Sequence, residues 1–237
     1  ENCMLKRILP LALAALWATA ANADEADIKK AMEAKLGAKV ESVSKSGYLG
    51  LYEIYADGNI LYTDEKMTAF IAGGQLIEGK TMKNVTEERM RKLTAIKFSE
   101  LPLERAIKQV RGDGKRVLAT FEDPNCGYCK RLAKDLLKLD NVTIYTFLYP
   151  ILSEDSIRKS KQIWCSADRA KAWNDWMVEG RAPAGKEDCD TSAVVKNQEF
   201  GRRLNISGTP TMFFGDGERV PGAMPLPKIE QKLSQLK

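Results

Sequence analysis

The chain has 237 residues, 44% hydrophobic and 29% charged, with a formal net charge of +5 and no histidine. That length holds one large domain or two modest ones, and the composition is that of an ordinary soluble globular protein. No basic block carries interleaved aromatics, so no nucleic-acid partner is expected, and no apolar run is long enough for a transmembrane helix.

Residues 1–23 read as a secretory signal peptide with a few extra residues ahead of Met4. Lys6-Arg7 form the charged region, residues 8–17 the apolar one, and Ala21-Asn22-Ala23 a small-x-small cleavage site. Four cysteines follow it, an even number that suits a compartment where disulfides persist. From residue 24 a short helix is predicted, with Ile28, Ala31, Met32 and Leu36 on one face and Gly37 as its stop. A β-rich stretch of about four strands comes next. Asp57-Gly58 and Gly73-Gly74 each sit between strand-like runs as hairpin signals. A unit of that size buries little core and leaves strand edges open, so pairing with a second copy is expected.

At Asn84 the texture changes. Asn84-Val85-Thr86-Glu87 resembles a helix cap, and the mostly charged run behind it reads as a connector helix over residues 84–98. Beyond it, Arg111-Gly112-Asp113-Gly114 between two strand-like runs is a third hairpin signal. Residues 115–121 then read as a buried strand, followed by Cys126-Gly127-Tyr128-Cys129 and a helix whose Leu132, Leu136 and Leu137 share a face. A long strand covers residues 141–149. Residues 153–204 are helical, with Trp173 and Trp176 expected in the core, and a strand, a turn at Asp216-Gly217 and a last helix complete the chain.

Cys126 therefore stands at the N-cap of a helix, where unpaired N–H groups and the positive end of the dipole favour a thiolate. It is expected as the exposed nucleophile, with Cys129 as the buried thiol that resolves mixed disulfides. A zinc site would need a second close pair of cysteines or histidines. The chain has no histidine, and Cys165 and Cys189 stand far apart, so no metal and no cofactor are expected. The second chemical signal is Ser207-Gly208-Thr209-Pro210-Thr211, in which a proline opens a strand that reads as central. Such an X-Pro bond can be cis.

The element order is that of a thioredoxin-like α/β domain with a helical insertion. The Cys126-Gly127-Tyr128-Cys129 motif, the Gly208-Thr209-Pro210 turn and the signal peptide resemble the DsbC/DsbG family of periplasmic disulfide isomerases. So do the β-rich unit, the charged linker helix and the second cysteine pair, and the resemblance spans residues 24–237. It implies an α+β homodimer with a dimerisation domain at 24–83, a linker helix at 84–98 and a catalytic domain at 99–237. It also implies Cys126 as the attacking cysteine, Cys129 as the resolving one, and Thr209-Pro210 as a cis-proline loop beside them. Gly127 and Tyr128 complete the motif. Asp123 matches an acidic position that assists proton transfer to Cys129, or else caps the loop. Cys165 and Cys189 match the family's structural disulfide. The implied partners are misfolded or unfolded exported proteins with disulfides and a membrane reductant of the DsbD type, and the implied location is the periplasm. Two other readings stay open: a dithiol oxidase that donates disulfides, and a DsbG-like reductase or chaperone that holds unfolded chains.

Overall fold

The computed structural model describes residues 25–236, and the leader expected over residues 1–23 lies outside the described residues. Two compact units are present, one holding residues 25–56 and 61–72, the other 57–60 and 73–236.

In the first, helix α1 (Glu25–Leu36) opens with Glu25 and Asp27 against the positive end of its dipole. Ile28 and Met32, one turn apart, are buried, whereas Leu36 of the expected face is exposed. Strands β1 (Val40–Lys45), β2 (Tyr52–Ala56), β3 (Asn59–Thr63) and β4 (Phe70–Ala72) form one sheet in that order. Asp57 and Gly58 both have positive φ, 49° and 75°, as a two-residue hairpin turn between twisted strands requires. Ile28 and Met32 pack with Val40, Tyr52, Ile54 and Ala56 into the core of this unit. The hairpin expected at Gly73-Gly74 does not form. Residues 75–77 leave the sheet because their backbone is satisfied elsewhere: the Leu76 carbonyl accepts from Val85 N–H and Ile77 bridges Asn84. Strand β4 is thus the last of its sheet, with Phe70, Ile71 and Ala72 all exposed.

The second unit begins with helix α2 (Val85–Leu93), whose N-cap Asn84 accepts a hydrogen bond from Glu87 N–H. A five-stranded sheet follows, built from β5 (Ile107–Arg111), β6 (Arg116–Glu122), β7 (Val142–Leu148), β8 (Thr211–Phe214) and β9 (Arg219–Pro221). Their order is β5-β7-β6-β8-β9; β6 and β7 are parallel and the other pairs antiparallel. The hairpin expected at Arg111-Gly112-Asp113-Gly114 is therefore absent, because β7 lies between β5 and β6. The turn docks instead on the start of β7, where Asn141 Oδ1 accepts from Asp113 N–H. A Cβ at Gly112 would collide with Asn141 and Asp140.

Helix α3 (Gly127–Leu136) links β6 to β7, and α4 (Glu154–Trp164), α5 (Arg169–Met177) and α6 (Ser192–Arg203) form the helical insertion between β7 and β8. Helix α7 (Leu226–Gln235) closes the unit. Leu132 and Leu136 of α3 pack with Leu118, Ile144, Met212 and Ile229 on one face of the sheet. On another, Phe121 stacks on Phe147 with ring centroids 4.6 Å apart. Both strands that flank α3 are thereby packed on both faces, and the loop from β6 into α3 starts from a buried strand end.

Candidate active site

Cys126 is the N-cap of α3, with extended backbone (φ −76°, ψ 119°), so its side chain turns back over the first helical turn. Its Sγ accepts from Cys129 N–H at 3.4 Å and lies 3.3 Å from the carbonyl oxygen of Thr209, to which the thiol donates. The Thr209–Pro210 peptide is cis, and Pro210 leads directly into β8, the antiparallel neighbour of β6. The sheet therefore carries Thr209-Pro210 and Cys126 to one site from 83 residues apart.

The expected exposure of Cys126 is corrected here. Only 6% of the residue is accessible, because Sγ sits between the helix N-terminus and the Thr209 loop; Gly127 and Tyr128, the latter at 61%, are the exposed members of the motif. The Arg131 side chain lies over the Tyr128 ring, 4.2 Å from its centroid. Gly127 has open space where a Cβ would be. Cys129 is fully buried beside Ala133, Leu148 and Trp173.

The two thiols are free and electrostatically unequal. Hydrogen bonding from the Cys129 side chain is the largest cause that holds the Cys126 thiol down at about 5, and it outweighs the opposing effect of burial. The Thr209 side chain and the N–H groups of Cys129 and Tyr128 act in the same direction. The Cys129 thiol is pushed far up, first by burial, then by Cys126 and the charge of Glu122. Cys126 is thus the thiol that ionises first and Cys129 the one that keeps its proton.

Asp123 organises the loop. Its Oδ1 accepts from Asn125 N–H at 2.7 Å and from the Ser156 hydroxyl at 2.8 Å; its Oδ2 accepts from the N–H groups of Ile151 and Leu152 at 2.8 and 3.0 Å. Four donors occupy this carboxylate. The neighbouring Glu122 escaped the sequence reading. It is fully buried at the end of β6, and Oε1 accepts from the Thr120 hydroxyl at 2.7 Å while Oε2 has no partner. Burial raises its carboxyl to about 8, outweighing the opposing hydrogen bond from Thr120, and the Cys126 charge adds a lesser upward contribution. An acid closing a mostly apolar strand, on the same side as Thr120, was the available signal.

Cys165, the C-cap of α4, is bonded to Cys189. Beside that bridge, the Trp164 indole N–H donates to the Asp190 carbonyl at 3.1 Å.

A β6–α3–β7 core with a free Cys-x-x-Cys pair at the head of α3 and a cis-proline against it defines a thioredoxin-like thiol:disulfide oxidoreductase. Residues 103–237 match the thioredoxin-like domain and residues 19–87 the disulfide bond isomerase protein N-terminal domain. The probable thiol:disulfide interchange protein DsbC of Bordetella parapertussis is 50% identical over 197 residues, 83% of this chain and 69% of that one. The chain belongs to the DsbC family and is a disulfide isomerase. Escherichia coli K12 thiol:disulfide interchange protein DsbC is 27% identical over 98% of this chain and 97% of its own length. Among solved structures, a disulfide interchange protein from Neisseria gonorrhoeae superposes with a TM-score of 0.54 at 41% identity, covering 57% of this chain and 97% of that one. These relatives do not favour the oxidase or DsbG-like readings.

Proposed function

We propose that Cys126 attacks a non-native disulfide of an exported protein, forming a mixed disulfide and releasing one substrate sulfur as a thiolate. Two exits follow. In isomerisation the released thiolate attacks another substrate sulfur, and the last substrate thiolate to form expels Cys126, so no net electrons are exchanged. In reduction Cys129 gives its proton to Glu122 and attacks Cys126 Sγ; the substrate leaves reduced and Cys126–Cys129 is left oxidised. A membrane reductant of the DsbD type then restores the dithiol. Thr209-Pro210 holds the incoming chain beside Sγ, Gly127 and Tyr128 present the mouth of the site, and Asp123 braces the loop. Proton transfer goes to the ionised form of Glu122 rather than to Asp123 because Glu122 Oε2 has no hydrogen-bond partner, whereas four donors fill Asp123.

The same reading assigns residues 24–83 to homodimerisation, 84–98 to a linker, 99–237 to catalysis with a structural Cys165–Cys189 bridge, and the mature protein to the periplasm. The observation that carries the chemistry is Cys126 Sγ at the helix N-cap, 3.4 Å from Cys129 N–H, with the free thiol of Cys129 fully buried behind it.

Scrambled ribonuclease tests it. Cys126→Ser is expected to abolish rescue. Cys129→Ser is expected to retain initial attack and accumulate mixed disulfides visible on non-reducing gels. Mixed disulfides accumulating in Cys126→Ser instead would reverse the assignment.

A further inference from the structure

Trp176 packs against the core as expected but at its margin. Trp173, three residues earlier on α5, is buried among apolar side chains, but Trp176 is only partly buried and its edge faces the active-site loop. The indole N–H donates to the carbonyl oxygen of Pro124 at 2.6 Å, across 52 residues of sequence. That carbonyl belongs to the Pro124–Asn125 peptide, whose N–H donates to Asp123 Oδ1 at 2.7 Å. Both ends of this one peptide plane are therefore held by side chains. The Asn125 amide is held as well, donating to Asp155 Oδ2 at 2.8 Å and to Ser156 Oγ at 3.1 Å at the start of α4. Immediately after Asn125 comes Cys126, whose N–H donates to the Asp123 carbonyl at 3.1 Å.

The indole also joins the helices around the loop. The Lys130 ammonium of α3 lies 4.0 Å from its ring centroid and the Lys159 ammonium of α4 lies 4.7 Å from it. A phenylalanine would keep an aromatic face for the two cations but leave part of the indole's space empty, and it has no N–H to reach the Pro124 oxygen. The nucleophile's placement depends on that oxygen, because the orientation of the 124–125 peptide sets the entry of the chain into the N-cap. The N-cap dihedrals in turn aim Sγ at Cys129 N–H and Thr209.

We propose that Trp176 is a positioning residue for the nucleophile: its indole N–H locks the Pro124–Asn125 peptide and thereby holds Cys126 in its thiolate-stabilising geometry. The helical insertion then has a direct part in the reaction beyond enlarging the domain. This inference rests on Cys126 being the attacking thiol.

The test replaces Trp176 in the full chain in two ways: Trp176→Phe, and its benzothienylalanine isostere, which keeps the bicyclic shape and deletes only the N–H donor. Iodoacetamide reactivity of the reduced chain is followed from pH 4 to 9 with the label located by peptide mapping, and thermal midpoints are measured alongside. Both replacements are expected to shift the Cys126 profile to higher pH and to slow its alkylation at pH 5 roughly 5-fold, the order of effect of one positioned hydrogen bond. The isostere's thermal midpoint is expected to stay within a few degrees of the parent's. A parental profile in the isostere overturns the proposal, as does a shift confined to Trp176→Phe, which would credit ring fit, or an isostere shift that comes with a large loss of thermal stability. Label falling on Cys129 in the parent chain is a different result, and it removes the nucleophile assignment itself.

Discussion

At Cys126 and Glu122 the same site pulls stability in two directions as pH changes. Cys126 has a folded pKa of about 5 against an ordinary 9.0, so its contribution is full above the unfolded value and is lost as pH falls through 5. Glu122 is the reverse. Its folded pKa of about 8 lies above the ordinary 4.5, so the native state holds a proton the unfolded chain has shed, and stability declines as pH rises between those values. In the reduced chain the two slopes oppose each other across pH 5 to 8. Cys126→Ser removes one of them. That variant is expected to lose stability on going from pH 5 to pH 8, at no more than about 1.4 kcal/mol per unit, and adding Glu122→Gln is expected to flatten the curve. Urea denaturation at several pH values measures both, and a flat curve for the single variant would mean that Glu122 is charged in the fold. Neither Glu122 nor Trp176 was legible beforehand as Cys126 was. A cysteine pair between a strand and a helix announces its chemistry through spacing alone. A glutamate at a strand's end reads as a solvent-facing terminus, and two tryptophans three apart on a helix read as one apolar face.

Among elements, what could be read was what is local. The N-cap at Cys126, the α3 stripe of Leu132 and Leu136, and the Asp57-Gly58 turn all follow from neighbours in sequence. The Arg111-Gly112-Asp113-Gly114 and Gly73-Gly74 turns misled because a turn signal does not say which strand lies alongside. In the first case β7, closed by the crossover through α3, occupies the place a hairpin partner would take. Cys165–Cys189 ties the end of α4 to the segment before α6 across 24 residues. Restricting the unfolded chain over a loop of that length contributes about 3 kcal/mol. Replacing both cysteines by serine is therefore expected to lower thermal stability while leaving the Cys126–Cys129 pair able to reduce insulin. A double variant as stable as the parent would show that the bridge restrains nothing. One that is stable but inactive would make the pair part of the reaction.

For the whole molecule, the proposed division of labour rests on β4. Its exposed Phe70, Ile71 and Ala72 stand on an unpaired sheet edge, the kind of surface that proteins cover or charge. Deleting residues 24–98, the proposed dimerisation and linker segments, leaves the five-stranded sheet and α3–α7 in place. The shortened chain is expected to be a monomer that still reduces simple disulfides and loses most rescue of scrambled ribonuclease, since two tethered sites hold a substrate longer than one. Light scattering and the rescue assay check the two halves of that expectation. A monomer that rescues at the full-length rate would leave the N-terminal unit without a part in isomerisation.

On the proposed mechanism the burial of Cys129 acts as a clock. Once Cys126 is bonded to a substrate, reshuffling continues only until the second thiol surrenders its proton and ends the encounter. Burial holds that proton on Cys129, and burial also raises the Glu122 carboxyl proposed to receive it. The residence time of a substrate on Cys126 is thus set by how long Cys129 keeps its proton.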